Sequence, residues 1–162
     1  MGARIQQKIT PFLWFDNNAE EAINFYVSVF RDAAICIVTR FSAEGAQASG
    51  MPEGSVMTIA FRLEGQEFVA INSGPHFKFT EAVSFVVSCE TQADIDHYWN
   101  HLTAGGDPAA QQCGWLKDRY GLSWQVVPAV LPELMRDPVR AGRVMQAVLP
   151  MKKINLAALV SA

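Results

Sequence analysis

Hydrophobic and polar positions along the chain fall into two patterns that recur in the same order. Lys8 to Phe15 alternates with period two. Ile9, Leu13 and Phe15 point one way, and Thr10, Phe12 and Trp14 the other. Both sets are rich in apolar side chains, which predicts a strand covered on both faces. Pro11 lacks a ladder donor and puts an edge or a strand end there. Asp16-Asn17-Asn18 then turns the chain. Asn18 followed by Glu21 predicts a helix N-cap with an acid at N3 and a helix to about Phe30. Its stripe is Ala22, Tyr26 and Val29, with Ile23 and Phe30 beside it. Ala34 to Phe41 reads as a second strand. Ser42 to Gly54, rich in Gly, Ser and Ala, reads as a mobile loop. Val56 to Leu63 and Gln66 to Asn72 are two further strands, joined tightly at Glu64-Gly65. Ser73-Gly74-Pro75 ends the run.

The order then begins again. Ala82 to Cys89 reads as a strand, and Thr91 with Asp94 as a second capped helix start. That helix runs to about Thr103 and stops at Gly105-Gly106. Ile95, Tyr98, Trp99 and Leu102 form its stripe. Cys113 to Lys117 and Leu122 to Val127 are the following strands, with Asp118 to Gly121 turning between them. Counted from the two caps, Phe25-Tyr26 and Tyr98-Trp99 occupy the same helical positions. A strand precedes each helix and strands follow it, so an internal repeat is the first inference.

The tail from Ala129 departs from the repeat. Pro138 to Val148 and Lys153 to Ser161 are predicted short helices. The last segment is apolar enough to need a partner surface, either its own domain or a second subunit.

Composition narrows the classes. Half of the 162 residues are hydrophobic and 18% are charged, so the chain can bury a core without metal or disulfide staples. A net charge of −3 gives no basic footprint for nucleic acid. Cys36, Cys89 and Cys113 are odd in number and form no CxxC, which favours free thiols in a reducing compartment. No apolar signal core follows Arg4, and no apolar run reaches the length of a membrane span. The expected location is the cytoplasm, with no membrane partner.

Candidate chemistry is sparse. His97 and His101 stand at i, i+4, a spacing that can present two imidazoles to one ion, but HExxH is absent and both lie off the apolar stripe. A solvated helix face is the expectation. His76, in Gly-Pro-His-Phe-Lys-Phe between the repeats, is a candidate base or hydrogen-bond donor to a ligand, or a turn residue; Lys78 would add a cation. Phe12, Trp14, Trp115 and Trp124 are large rings on strands that would either floor a pocket or fill a core. Nothing near Cys113 beyond Lys117 and Arg119 activates its thiol. There is no GxSxG, Walker A or GxGxxG.

Strand, helix and following strands, twice over, resemble the βαβββ module of the vicinal oxygen chelate superfamily, which includes glyoxalase I, extradiol dioxygenases and bleomycin-resistance proteins. The residues that bear the resemblance are 16–30 (DNNAEEAINFYVSVF), 74–79 (GPHFKF), 112–128 (QCGWLKDRYGLSWQVVP) and 151–154 (MKKI). They are similar to the PhnB-like branch, often labelled 3-demethylubiquinone 3-methyltransferase. The resemblance implies an α+β fold of two βαβββ-like modules forming a cupped mixed sheet with helices outside, plus a helical tail. Module one would span about 6–73, module two about 80–128 and the tail about 129–162, in a single domain. It also implies a homodimer and a small-molecule ligand in the cup.

In the superfamily, metal ligands come from the first and last strands of each module. At those positions this chain has Thr10 or Pro11, Ala70 or Asn72, Val83, and Gln125. Val83 cannot bind a metal, and the amides Asn72 and Gln125 are weak ligands. No resident metal or other cofactor is therefore expected. The expected function is a small-molecule-binding protein with a degraded or absent metal site. The pocket candidates are Thr10, Phe12, Trp14, Asn72, His76 and Gln125. One alternative is a metal-dependent lyase, isomerase or dioxygenase using a divalent ion. The other is a methyltransferase, for which the chain lacks a glycine-rich cofactor loop after its first strand.

Overall fold

A computed structural model describes residues 7–162. The chain divides between Lys78 and Phe79 into two compact units. Each holds one mixed sheet, and the fold is α+β.

The first unit has strand order β1-β4-β3-β2. β1 (Phe12–Phe15) is followed by α1 (Ala19–Val29), β2 (Ala33–Arg40), α2 (Ala43–Ser49), β3 (Val56–Leu63) and β4 (Gln66–Asn72). β1 runs parallel to β4, and the other pairs are antiparallel. β1 starts later than the alternation predicts because Pro11 has no N–H; its carbonyl still accepts from Val69 N at 3.0 Å. Thr10 therefore lies outside the strand, exposed. Gln7 extends the ladder with its side chain: Nε2 donates to Glu67 O at 2.9 Å, and Oε1 accepts from Glu67 N.

The segment predicted as a mobile loop contains α2. Ser42 Oγ accepts from Gly45 N, and Gly50 stops the helix in the left-handed region at φ 76°. No α2 residue is buried, so the helix has no apolar stripe to betray it.

Period-two alternation splits the sheet into two faces. Leu13, Phe15, Ile59, Phe61, Leu63, Phe68 and Ala70 are buried, and so are Ala19, Ala22, Ile23, Tyr26 and Val29 of α1, which packs across β3, β2 and β4. The opposite face carries Phe12, Trp14, Thr58, Ala60, Val69 and Ile71, all at least partly exposed.

Asn18 occupies the N-cap position of α1, but its side chain makes no capping bond. Asn72, at the end of β4, supplies it instead. Its Oδ1 accepts from Ala19 N at 2.9 Å, and its Nδ2 donates to Val56 O at 3.2 Å. One buried amide thus joins β4, the start of β3 and the first turn of α1.

The second unit has strand order β5-β7-β6. β5 (Ser84–Cys89), α3 (Gln92–Thr103), a 3-10 turn at Pro108–Ala110, β6 (Trp115–Lys117) and β7 (Ser123–Pro128) follow in sequence. Thr91 Oγ1 accepts from Asp94 N, as its spacing predicts. β5 pairs parallel with β7, as β1 does with β4, so the repeat is visible in topology. This module is one strand shorter than the first. The place of β2 is taken by the Gly105-to-Gly114 segment, whose two-glycine stop and 3-10 turn leave too little chain for an extra hairpin strand.

The tail forms α4 (Leu131–Leu134), α5 (Pro138–Val148) and α6 (Leu156–Val160). It docks within its own unit: Leu134, Val144, Val148, Ile154 and Leu159 bury a cluster with Val127 of β7. Gln92 clamps the tail, accepting from Leu156 N at 2.8 Å and donating to Ile154 O at 3.1 Å. Gly114 is required at the junction. At φ 85°, its carbonyl accepts from Val126 N, and an added Cβ would stand 2.8 Å from Val126 O and 2.9 Å from Ile154 Cδ1.

Asn72→Ala should lower stability by about 2–3 kcal/mol, because it strands a buried N–H and a buried C=O together. Urea unfolding checks this; a loss below about 0.5 kcal/mol would contradict the role given to the amide.

Candidate functional site

The faces opposite α1 and α3 are where sheet side chains remain reachable. On the first, Phe12 is 58% exposed and Trp14 partly so. Trp14 is fixed from the chain segment after β4. Its Nε1 donates to Gly74 O at 2.9 Å, and Phe77 meets its ring edge-on at 4.8 Å between centroids. His76 lies further off, with ring centroids 6.4 Å apart, and is exposed. Phe12, Trp14 and His76 are therefore near neighbours. Between Thr39 and Thr58 a hydrogen bond of 2.5 Å links β2 to β3.

Asn72 belongs elsewhere. It is 5% exposed, faces α1, and has both ends of its amide engaged. It also lines a groove of about 480 Å³ at the strand ends, together with Asp16, Glu20, Arg40, Met51 and Pro52. The former loop 42–54 thus contributes to that groove through Met51 and Pro52. Arg40 Nη1 donates to Gly54 O at 3.2 Å and ties β2 to the same segment.

In the second unit, register sorts the candidate rings. Trp124 is buried on the face of Phe85, and its Nε1 donates to Asp118 Oδ2 at 2.9 Å. Trp115 stands opposite Gln125 on the other face and is 37% exposed. Gln125 Nε2 donates to Ser84 Oγ at 2.9 Å. Asp118 is a hub that no motif had singled out. It is 3% exposed, and its Oδ1 accepts from Tyr120 N and Leu122 N while Oδ2 takes the indole. It fixes the β6–β7 turn. Its signal was the Asp-Arg-Tyr-Gly tetrapeptide between two strands.

The remaining candidates are accounted for. His101 is exposed, and its Nδ1 is 2.7 Å from His97 O, a contact within the helix. Lys78 is exposed. Val83 is 62% exposed. The three cysteines are free; burial, with the Asp94 charge adding to it, pushes the Cys89 thiol up to about 11.

The positions inherited by analogy do not suit a divalent ion. Thr10 lies outside its strand, Asn72 is turned to α1, Val83 has no donor, and Gln125 offers only a neutral amide oxygen, its Nε2 donating to Ser84 Oγ. Among the described residues, no group of three or more His, Cys, Asp or Glu could hold a metal ion. The residues also do not fit a nucleotide-type methyl donor, since β1 passes through Asp16-Asn17-Asn18 directly into α1. No described helix is long and apolar enough to cross a membrane.

Two repeated modules, each opening with a strand that pairs parallel to its last strand, give a fold that the fosfomycin resistance proteins FosX of Mesorhizobium loti and Listeria monocytogenes share. The model of the family described as 3-demethylubiquinone-9 3-methyltransferase matches residues 7–127, and the chain belongs to that PhnB-like family. The PhnB protein of Bacillus cereus, given the same description, is 41% identical over 76% of this chain and 100% of its own, with TM-score 0.65. Protein PA1353 of Pseudomonas aeruginosa is 20% identical over 76% and 98%, with TM-score 0.58. A variant of the fosfomycin resistance protein FosX of Listeria monocytogenes, solved with Mn(II) and 1S,2S-dihydroxypropylphosphonic acid, is 12% identical over 75% and 91%, with TM-score 0.52. No curated protein matches the chain.

The Cys89 thiol is raised from its usual 9.0 to about 11, so the folded state resists ionisation that the unfolded chain undergoes. Its contribution to stability is full below pH 9 and is lost as pH rises through about 11. Iodoacetamide at pH 8 should therefore label exposed Cys36 and spare Cys89 until denaturant is added, as peptide mass mapping would show. Labelling of Cys89 in the native protein would contradict this.

Proposed function

We propose that the chain is a small-molecule-binding protein of the glyoxalase and bleomycin-resistance type, without a resident divalent metal. Each unit offers its own candidate binding surface on the open face of its sheet, aromatic in the first unit and polar in the second. The observation that supports this best is Trp14. A large ring on an uncovered face is held in one orientation by Gly74 O and Phe77, while Phe12 beside it stays exposed. A pre-ordered, solvent-reachable aromatic surface suits an apolar or aromatic ligand, because little side-chain freedom remains to be lost on binding. Of the six pocket candidates, Phe12, Trp14, His76 and Gln125 fit this reading. Thr10 lies outside β1, and Asn72 serves α1.

The same reading includes a cytoplasmic homodimer. Three free cysteines suit a reducing compartment. Ile35, Ile37 and Val38 lie exposed on β2, the outer strand of its sheet, an apolar edge that a second copy would cover.

Elemental analysis of the purified protein should find no stoichiometric divalent ion. A stoichiometric ion lost in Gln125→Ala would favour the metal-dependent lyase, isomerase or dioxygenase instead. Calorimetry with S-adenosylmethionine should show no saturable heat, whereas micromolar binding would favour the methyltransferase reading. Trp14→Ala should weaken binding of a neutral aromatic probe, 2-naphthol, by about tenfold or more, as expected for loss of one ring contact of roughly 1.5 kcal/mol. An unchanged affinity would remove Trp14 from the site.

A further inference from the structure

The open face of the second sheet carries a polar row that the aromatic surface does not explain. Register places Lys117 of β6 opposite Ser123 of β7, and Ser123 opposite Ser84 of β5. Gln125 follows two residues along β7 on the same side and reaches Ser84 with its amide nitrogen. One cation, two hydroxyls and an amide thus share a patch about three strands wide. All four side chains present a donor, and none of them carries a negative charge.

Two observations indicate that the row is built for an anion. The first is Ser123. It is 1% exposed, and its Oγ is a buried oxygen without a hydrogen-bond partner among the described residues. An unpaired buried hydroxyl is costly, and a native one calls for an occupant or a role. The second is Glu81. Its carboxylate is ion-paired with Lys117 Nζ, joining the segment before β5 to β6. The hydrogen bond from Lys117 holds the Glu81 carboxyl below its usual range. Glu81 itself is mostly exposed, held by Lys117 and a backbone hydrogen bond, and an exposed ion pair of this kind is weak and open to exchange. The neighbouring acid, Asp118, does not compete for Lys117, since both its oxygens serve the β6–β7 turn and Trp124.

Resting on the small-molecule reading above, we propose that Lys117, Ser123, Ser84 and Gln125 bind an oxyanion of the ligand, a carboxylate or a phosphonate or phosphate group. Glu81 is its internal competitor. The chain's own carboxylate occupies Lys117 when the site is empty, and the ligand's oxyanion replaces it while the Ser123 hydroxyl donates from beneath. The ligand class is therefore an organic acid, carboxylic, phosphonic or phosphoric.

The test is an amide NMR titration of the full chain with methylphosphonate and with acetate, and separately with neutral 2-naphthol. Saturable shifts at Lys117, Ser123 and Gln125 with either anion support the proposal, and the tighter of the two fixes the acid type. Lys117→Met should weaken that binding by about tenfold, and Glu81→Gln should tighten it by about fivefold, as befits one charge-assisted contact. Ser123→Ala, which conserves the fold because it only removes an unpaired hydroxyl, should weaken it by about threefold. Anion binding unaffected by Lys117→Met and Glu81→Gln overturns the proposal. If 2-naphthol shifts Phe12 and Trp14 while neither anion shifts the second sheet, the oxyanion site fails and the small-molecule reading stands. If no probe gives saturable shifts, both fail.

Discussion

A helix laid on one side of a sheet can bury only alternate side chains, and the rest of this molecule follows from that constraint. In the first unit, α1 takes Leu13, Phe15, Ile59, Phe61 and Ala70 into the core. In the second, Trp124 and Val126 are buried while Gln125 between them is not. The alternate strand residues point away from the helix, and most of them stay at least partly exposed, Ser123 and Val127 of β7 being buried exceptions. Phe12, Trp14, Trp115, Lys117 and Gln125 all belong to that second set. The surface available for binding is a by-product of the packing, and its chemistry differs between the two units.

Each unit is held by a buried polar side chain whose role is structural. Asn72 joins α1 to β3 and β4, and Asp118 joins the β6–β7 turn to Trp124. Both are almost fully buried with their main polar atoms paired, which is what a structural role requires. Their contrast with Ser123, equally buried and unpaired, is what gives the latter its interest. The family description names a methyl transfer. β1 passes through Asp16-Asn17-Asn18 directly into α1, without the glycine-rich turn of a nucleotide site.

Much of the fold was legible in the sequence. β3, β4 and α5 match the predicted limits residue for residue, because strict alternation and Pro138 at the helix start leave little freedom. The Thr91 cap was equally readable. The Asn18 cap was not, since the bond that replaces it comes from a residue 53 positions away. α2 was missed because it buries nothing, and a helix without an apolar stripe looks like a loop. The residue pattern already gave the second module three strands, and only the resemblance to a βαβββ module implied a fourth, which the Gly105-to-Gly114 segment does not form. For the site, alternation alone put Phe12 and Trp14 on one face. Assigning Asn72 needed the register and the position of α1, and Lys117 with Ser123 became visible only once three strands stood side by side.

The central claim is that the open faces, not the groove beside Asn72, receive the ligand. The most direct measurement is a crystal structure of the full chain with the molecule that co-purifies with it. The account predicts density against Phe12 and Trp14 or against Trp115 and Gln125. Density instead in the groove of Asp16, Glu20, Arg40 and Met51, with both open faces empty, would contradict it.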